Sequence, residues 1–140
     1  MTINLSAAAR ASELTALLTA IGGAATITVY TGAIPAYPES AATGTVLATY
    51  TGPAPFGAVS TVAGSGATPG TATLTMGAVP QVSATGSGTA GWARIATSGG
   101  VAIMDVDVTA TGGGGAFTFT TTAFVAGSPI TLSSGTLTLA

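Results

Sequence analysis

The chain has 140 residues, a formal charge of −2 and only 4% charged side chains, where about 25% is usual. It contains no Lys, His or Cys, which removes disulfides, zinc–thiolate sites and thiol catalysis, along with His triads, Schiff-base lysines and Ser–Lys dyads. Two Arg cannot neutralise a phosphate backbone, so no nucleic acid is expected as a partner.

The length predicts a single domain over 1–140 with a core of reasonable size. Mean hydropathy is high, at +0.68. Thr, Ser and Gly nevertheless break every apolar run short of the ~18 residues a membrane helix needs, so no membrane partner is expected. The start of the chain, 1–5, has neither a basic region nor a continuous apolar one, and predicts no signal peptide. A surface this poor in charge has little colloidal repulsion and tends to associate. That predicts a homo-oligomer, a closed ring or trimer, within a permanent assembly.

Residues 6–21 predict the one helix. Ser6 is a candidate N-cap and Gly22-Gly23 a stop. Leu14, Leu17, Leu18 and Ile21 fall at i, i+3, i+4 and i+7, a stripe expected to be buried, so Leu17→Ala is expected to cost about 2–5 kcal/mol. The stripe can dock on the chain's own sheet or on an adjacent subunit. Arg10 and Glu13 are spaced to pair on the wet side.

From there the period changes to 2. Strands are predicted at 25–31, 45–51, 56–63 and 71–76, with a doubtful one at 79–85 because of Pro80. The next two strands form a hairpin over 91–109, turning at Gly99-Gly100 as a two-residue loop. Counting back from Ser98 opposite Val101 sets Arg94 against Asp105 and Trp92 against Asp107. These four share one face, while Ala93, Ile95, Met104, Val106 and Val108 form the apolar other. Residues 112–115 are four glycines, read as a flexible connector. Strands at 116–122 and 130–139 follow, the last with a break near Gly135. One helix and eight or nine short strands over 25–139 predict a mainly β fold, an antiparallel β-sandwich or jelly-roll-like barrel.

No catalytic, cofactor or metal residues are expected. Asp105 and Asp107 could share a calcium ion, but two carboxylates fall short of its six to eight oxygens. The four-glycine loop lacks the Lys and helix of a phosphate loop. The face of Trp92, Arg94, Asp105 and Asp107 has two open readings. It is either the solvent side of a sheet with one ion pair, or a contact surface for a neighbouring subunit, where a lone Trp is at home. As a contact surface, Arg94→Ala would barely alter the melting of an isolated subunit, where an exposed pair is worth ~0–1 kcal/mol. It would weaken assembly.

The segments Trp92-Ala93-Arg94, Met104-Asp105-Val106-Asp107-Val108, Phe124-Val125-Ala126-Gly127 and the closing Ser-Gly-Thr-Leu-Thr-Leu of 134–139 carry a resemblance. So do the Ala-rich helix, the strand ending Tyr30-Thr31-Gly32 and Val46-Leu47-Ala48-Thr49. The chain resembles the small Ala/Gly/Thr-rich virion structural proteins of tailed bacteriophages, departing from them in its Gly99-Gly100 turn. The resemblance implies a non-enzymatic virion component assembled in the host bacterial cytoplasm. It would decorate the capsid or form part of the tail or tail tip, with other virion proteins and copies of itself as partners. The alternative is a receptor- or carbohydrate-binding tail-fibre module using Trp92 or the Tyr residues. A Thr-rich ice-binding or adhesive face would need Thr-x-Thr at a fixed period, and the spacing in the sequence is irregular.

Overall fold

The helix forms where period and caps agree. In a computed structural model describing residues 4–140, α1 (Ala7–Ile21) starts at Ser6, whose Oγ accepts from Ala9 N–H at 3.2 Å. It stops at Gly22, whose N–H donates to Leu18 O at 3.0 Å. The first three residues of the start read for a leader lie outside the described residues. Ser12, Thr15 and Thr19 bond back to carbonyls four residues earlier on the exposed side. Of the Leu stripe, Leu14 and Ile21 are buried, while Leu17 and Leu18 are only half-buried. The reason is the support: α1 packs chiefly on two strands at one end of the sheet, which is too narrow to cover the whole stripe. Arg10 does not pair with Glu13. Its Nη1 donates to Gly70 O and ties the helix to the end of a hairpin.

Eleven strands follow among the described residues: β1 (Thr26–Thr31), β2 (Val46–Thr51), β3 (Gly57–Val62), β4 (Thr71–Met76), β5 (Val82–Ser83), β6 (Gly88–Ala96), β7 (Ala102–Ala110), β8 (Phe117–Phe119), β9 (Ala123–Phe124), β10 (Pro129–Ile130) and β11 (Leu132–Leu139). The fold is mainly β, a curled, largely antiparallel sheet of sandwich-like form after one N-terminal helix. The main sheet runs β2-β1-β6-β7-β8-β11-β4-β3, with β9 on β6 and a separate β5–β10 pair. Alternation explains the core. Ile27 and Val29 of β1, Ala93 and Ile95 of β6, Leu74 of β4 and Phe117 and Phe119 of β8 point inward, joined by Leu14 and Ile21 of α1. The polar neighbours of these residues point out.

Three strands of the sequence reading change. The doubtful 79–85 becomes the two-residue β5, 116–122 shrinks to the three-residue β8, and 130–139 splits into β10 and β11 with its irregularity between Leu132 and Ser134. The four-glycine stretch is no loose connector. β8 runs parallel to β7, with Val108 beside Phe117, so residues 111–116 must carry the chain from Ala110 back to the level of Val108 in a tight return. Gly113 N–H bonds Ala110 O at 2.9 Å, Gly115 N–H bonds Thr109 Oγ1 at 3.0 Å and Ala116 N–H bonds Asp107 Oδ1 at 2.9 Å. A Cβ on Gly113 or Gly115 would sit 2.7–2.8 Å from Thr109, so only glycine lets the return close this tightly.

The sheet's two edges are finished differently. At β2 the ladder with β1 is irregular around Leu47, and Leu47 O accepts from Thr85 N–H at 2.8 Å and Gly86 N–H at 3.3 Å. At the opposite edge β3 is paired with β4 alone, in six unbroken steps from Gly57–Met76 to Val62–Thr71.

Candidate functional site

The four residues singled out from the sequence do come to neighbouring positions, but by a different turn. Residues 98–100 form a three-residue loop. Thr97 N–H donates to Val101 O at 2.8 Å, Gly100 N–H to Thr97 O at 2.9 Å, and Gly100 has φ +87°. This loop is one residue longer than the expected two-residue turn, and alone it would send every later side chain to the opposite face. A second extra residue, Ile103, cancels the shift: Ile95 pairs with Met104 while Ala96 pairs with Ala102. Arg94 therefore lies opposite Asp105, and Trp92 opposite Asp107.

The face is not open to solvent. Pairing of β1 with β6 sets Tyr30 beside Trp92 and Thr28 beside Arg94. The Tyr30 and Trp92 rings stack with centroids 4.5 Å apart and planes 11° off parallel. Arg94 Cζ lies 5.3 Å from the Trp92 ring centroid, within cation–π range. Arg94 grips Asp105 with two bonds, Nε to Oδ1 at 2.7 Å and Nη2 to Oδ2 at 2.8 Å, and its Nη1 donates to Ser40 O at 2.9 Å. Ser40 sits in the 32–45 loop between β1 and β2, whose mouth is closed by Thr31 N–H to Thr45 O and Thr45 N–H to Thr31 Oγ1. Ring, guanidinium and carboxylate are thus largely covered by the chain itself, Tyr30 lying on Trp92 and Ser40 on Arg94. Trp92 is 0% exposed, and the Arg94 and Asp105 side chains 12% and 3%.

That cover corrects the picture of an open solvent face for three of the four: Trp92 is buried, and Arg94 and Asp105 are largely covered by residues remote in sequence. Asp107 is the exposed member of the four, and its Oδ1 is engaged by Ala116 N–H in the glycine return. In the register Asp107 stands opposite Trp92, and Arg94 opposite Asp105. The hydrogen bonds to Asp105 push the Arg94 guanidinium above its already high pKa against the opposing pull of burial, and the charges of Asp105 and Glu39 act in the same direction. Both Asp105 oxygens are committed to the guanidinium. The Trp92 Nε1 donor is buried without a protein partner among the described residues, a cost of about 1–3 kcal/mol. The ring takes its orientation from Tyr30 and Arg94 instead.

Chemically this is a clamp. It holds the 32–45 loop on the sheet through Arg94 Nη1 and Ser40 O. Tyr30 and Ser40 are the members that sequence reasoning missed. Tyr30 alternates with Thr26 and Thr28 on the outward face of β1, but only the β1–β6 pairing, made across more than sixty residues, reveals its partner.

Elsewhere, two hollows of about 420 and 390 Å³ are lined by Thr49, Thr51, Pro53, Pro80 and Val82, and by Thr75, Met76, Val79, Leu132 and Ser134. Neither is lined by an ionisable side chain. Tyr50 is buried beneath the sheet, where its hydroxyl donates to Ile130 O at 3.0 Å. Of the aromatics considered for a sugar platform, Tyr37 alone is largely exposed, at 59%. No group of three or more potential metal-ligating side chains occurs among the described residues, and no helix among them is long and apolar enough to cross a membrane. No protein-family model, no curated protein and no solved structure matches the chain.

Proposed function

We propose that this chain is a non-enzymatic structural protein of a tailed-phage virion. It would serve as a capsid decoration or a tail or tail-tip component, held by contacts with copies of itself and with other virion proteins. The observation that carries this reading is the finish of its surface. Of six charged side chains, Arg94 and Asp105 are consumed in an enclosed pair and Arg10 is tied to a backbone carbonyl. What faces outward on β11, β4 and β3 is mostly Thr and Ser, joined on β3 by Ala58 and Val62, with Thr73 and Thr138 hydroxyls bonded to each other at 3.0 Å. A surface of hydroxyls and small apolar groups has little charge to keep copies apart, and suits a subunit that spends its working life in contact with others.

The enclosed Trp92 argues for assembly through backbone edges and hydroxyl faces, and leaves the carbohydrate-binding alternative without its main aromatic. Purified particles fingerprinted by mass should contain this chain at many copies. Its absence from intact particles would sink the reading.

A further inference from the structure

We propose that the bare edge of β3 is a self-pairing surface, on which two copies of this chain join β3 to β3, antiparallel, about a two-fold axis at Val59. The proposal rests on the self-assembly part of the function proposed above and is independent of the virion.

The backbone sets the geometry. Gly77 N–H donates to Phe56 O at 2.9 Å, and Phe56 and Gly77 continue the β3–β4 register by one step. Ladder bonds in an antiparallel pair fall on alternate residues. The groups of Ala58, Ser60 and Val62 are therefore directed at β4, while the N–H and C=O of Gly57, Val59 and Thr61 are directed away from it. Three residues with Val59 at their centre are their own complement in an antiparallel partner. Val59 meets Val59 of the second copy, Gly57 meets Thr61, and six main-chain hydrogen bonds close the seam.

Edge strands in soluble chains are blunted by Lys, Pro, bulges or an overlying segment. β2 has an irregular ladder and an overlying segment at Leu47. β3 has no charge, no proline and no irregularity, and ends on Val62, 67% exposed. The absence of charge also selects the occupant. A second copy meets no like charge across the seam, whereas an acidic or basic partner would find nothing to pair with. Such an interface is isologous and makes a pair, a simpler product than the ring or trimer suggested by composition.

Hydrogen exchange and sedimentation of the purified full chain from about 10 μM to 1 mM test this. The expected result is a concentration-dependent dimer in which the Gly57, Val59 and Thr61 amides become protected as the dimer fills. Thr61→Pro removes a seam donor that β4 does not use, and should weaken association at least tenfold. Ser60→Lys places two lysines on a diagonal about 7–8 Å apart across the axis, and should also abolish the dimer. Ser60→Glu should do the same alone, and an equal mixture of the Lys and Glu chains should re-associate. Near-UV dichroism of the buried Trp92 reports whether each variant is folded. A chain that stays monomeric to 1 mM would overturn the proposal. So would an oligomer indifferent to both Ser60 variants with the three amides still exchanging freely. Absence from particles would end the virion reading and leave this one standing.

Discussion

The outward faces of the two halves of the sheet are built from one chain and finished in opposite ways. On β1, β6 and β7 the outward face carries Tyr30, Trp92, Arg94 and Asp105, which the chain itself largely covers, with the 32–45 loop held on Arg94 through Ser40 O. On β11, β4 and β3 they are Thr, Ser and small residues left uncovered, and hydroxyls such as Thr73 and Thr138 satisfy each other. The lesson concerns where a chain with six charges can place them. A paired charge under a loop fixes that loop to the sheet, while a hydroxyl face remains neutral and free to meet another surface.

The sharpest way to break the contrast is Arg94→Ala. Because Asp105 would be left enclosed and unpaired, the loss should be about 3–5 kcal/mol in the isolated chain, read by urea unfolding of Trp92 fluorescence. This reverses the small effect expected for an exposed pair. A loss under about 1 kcal/mol would mean that Asp105 is solvated and the two faces are alike.

Support beneath the uncovered half is tested next. Leu14→Ala should cost about 2–5 kcal/mol, and the half-buried Leu17→Ala clearly less, revising the figure expected from the stripe alone. Equal losses would show that α1 has a wider support than β3 and β4.

A pH titration probes the inner side common to both halves. Burial pushes the Tyr50 hydroxyl up to about 12. The unfolded chain then ionises first, near pH 10, so stability is intact below pH 10 and falls as pH rises toward about 12, by less than about 3 kcal/mol. Tyr50→Phe should flatten that limb of the stability–pH curve, and an unchanged slope would exclude Tyr50 as its source.

The smallest effect is expected on the uncovered face. Thr73→Val should change stability by no more than about 0.5 kcal/mol, as measured by thermal unfolding. A loss near that of Arg94→Ala would make the hydroxyl face as structural as the clamp.

What could be read from the sequence was what neighbouring residues decide. Ser6 and Gly22 bound the helix, the alternation of 26–31 and 71–76 gives β1 and β4, and the hairpin holds Arg94 opposite Asp105. The hairpin register was right through two errors that cancelled: a loop one residue longer and the extra Ile103. No local pattern distinguishes these from a plain two-residue turn. The clamp was half legible. Arg94 and Asp105 are eleven residues apart, but Tyr30 and Ser40 reach them from the other side of the chain, and alternation reports a face without saying what will cover it. The parallel β7–β8 return was illegible because four glycines look the same whether loose or held by Thr109 and Asp107.

The strand order has a consequence in time. β1 with β2, β3 with β4 and β6 with β7 are neighbours in sequence and can close early as separate hairpins. The sheet becomes continuous only when Thr28 finds Arg94 and Leu74 finds Leu137, each across more than sixty residues of chain. Both searches lose loop entropy before any contact rewards them, so folding is slow relative to a meander of the same length. Until the second search ends, β4 has an open side facing the place β11 will take. During synthesis that vacancy persists until the last eight residues of the sheet, Leu132–Leu139, have left the ribosome.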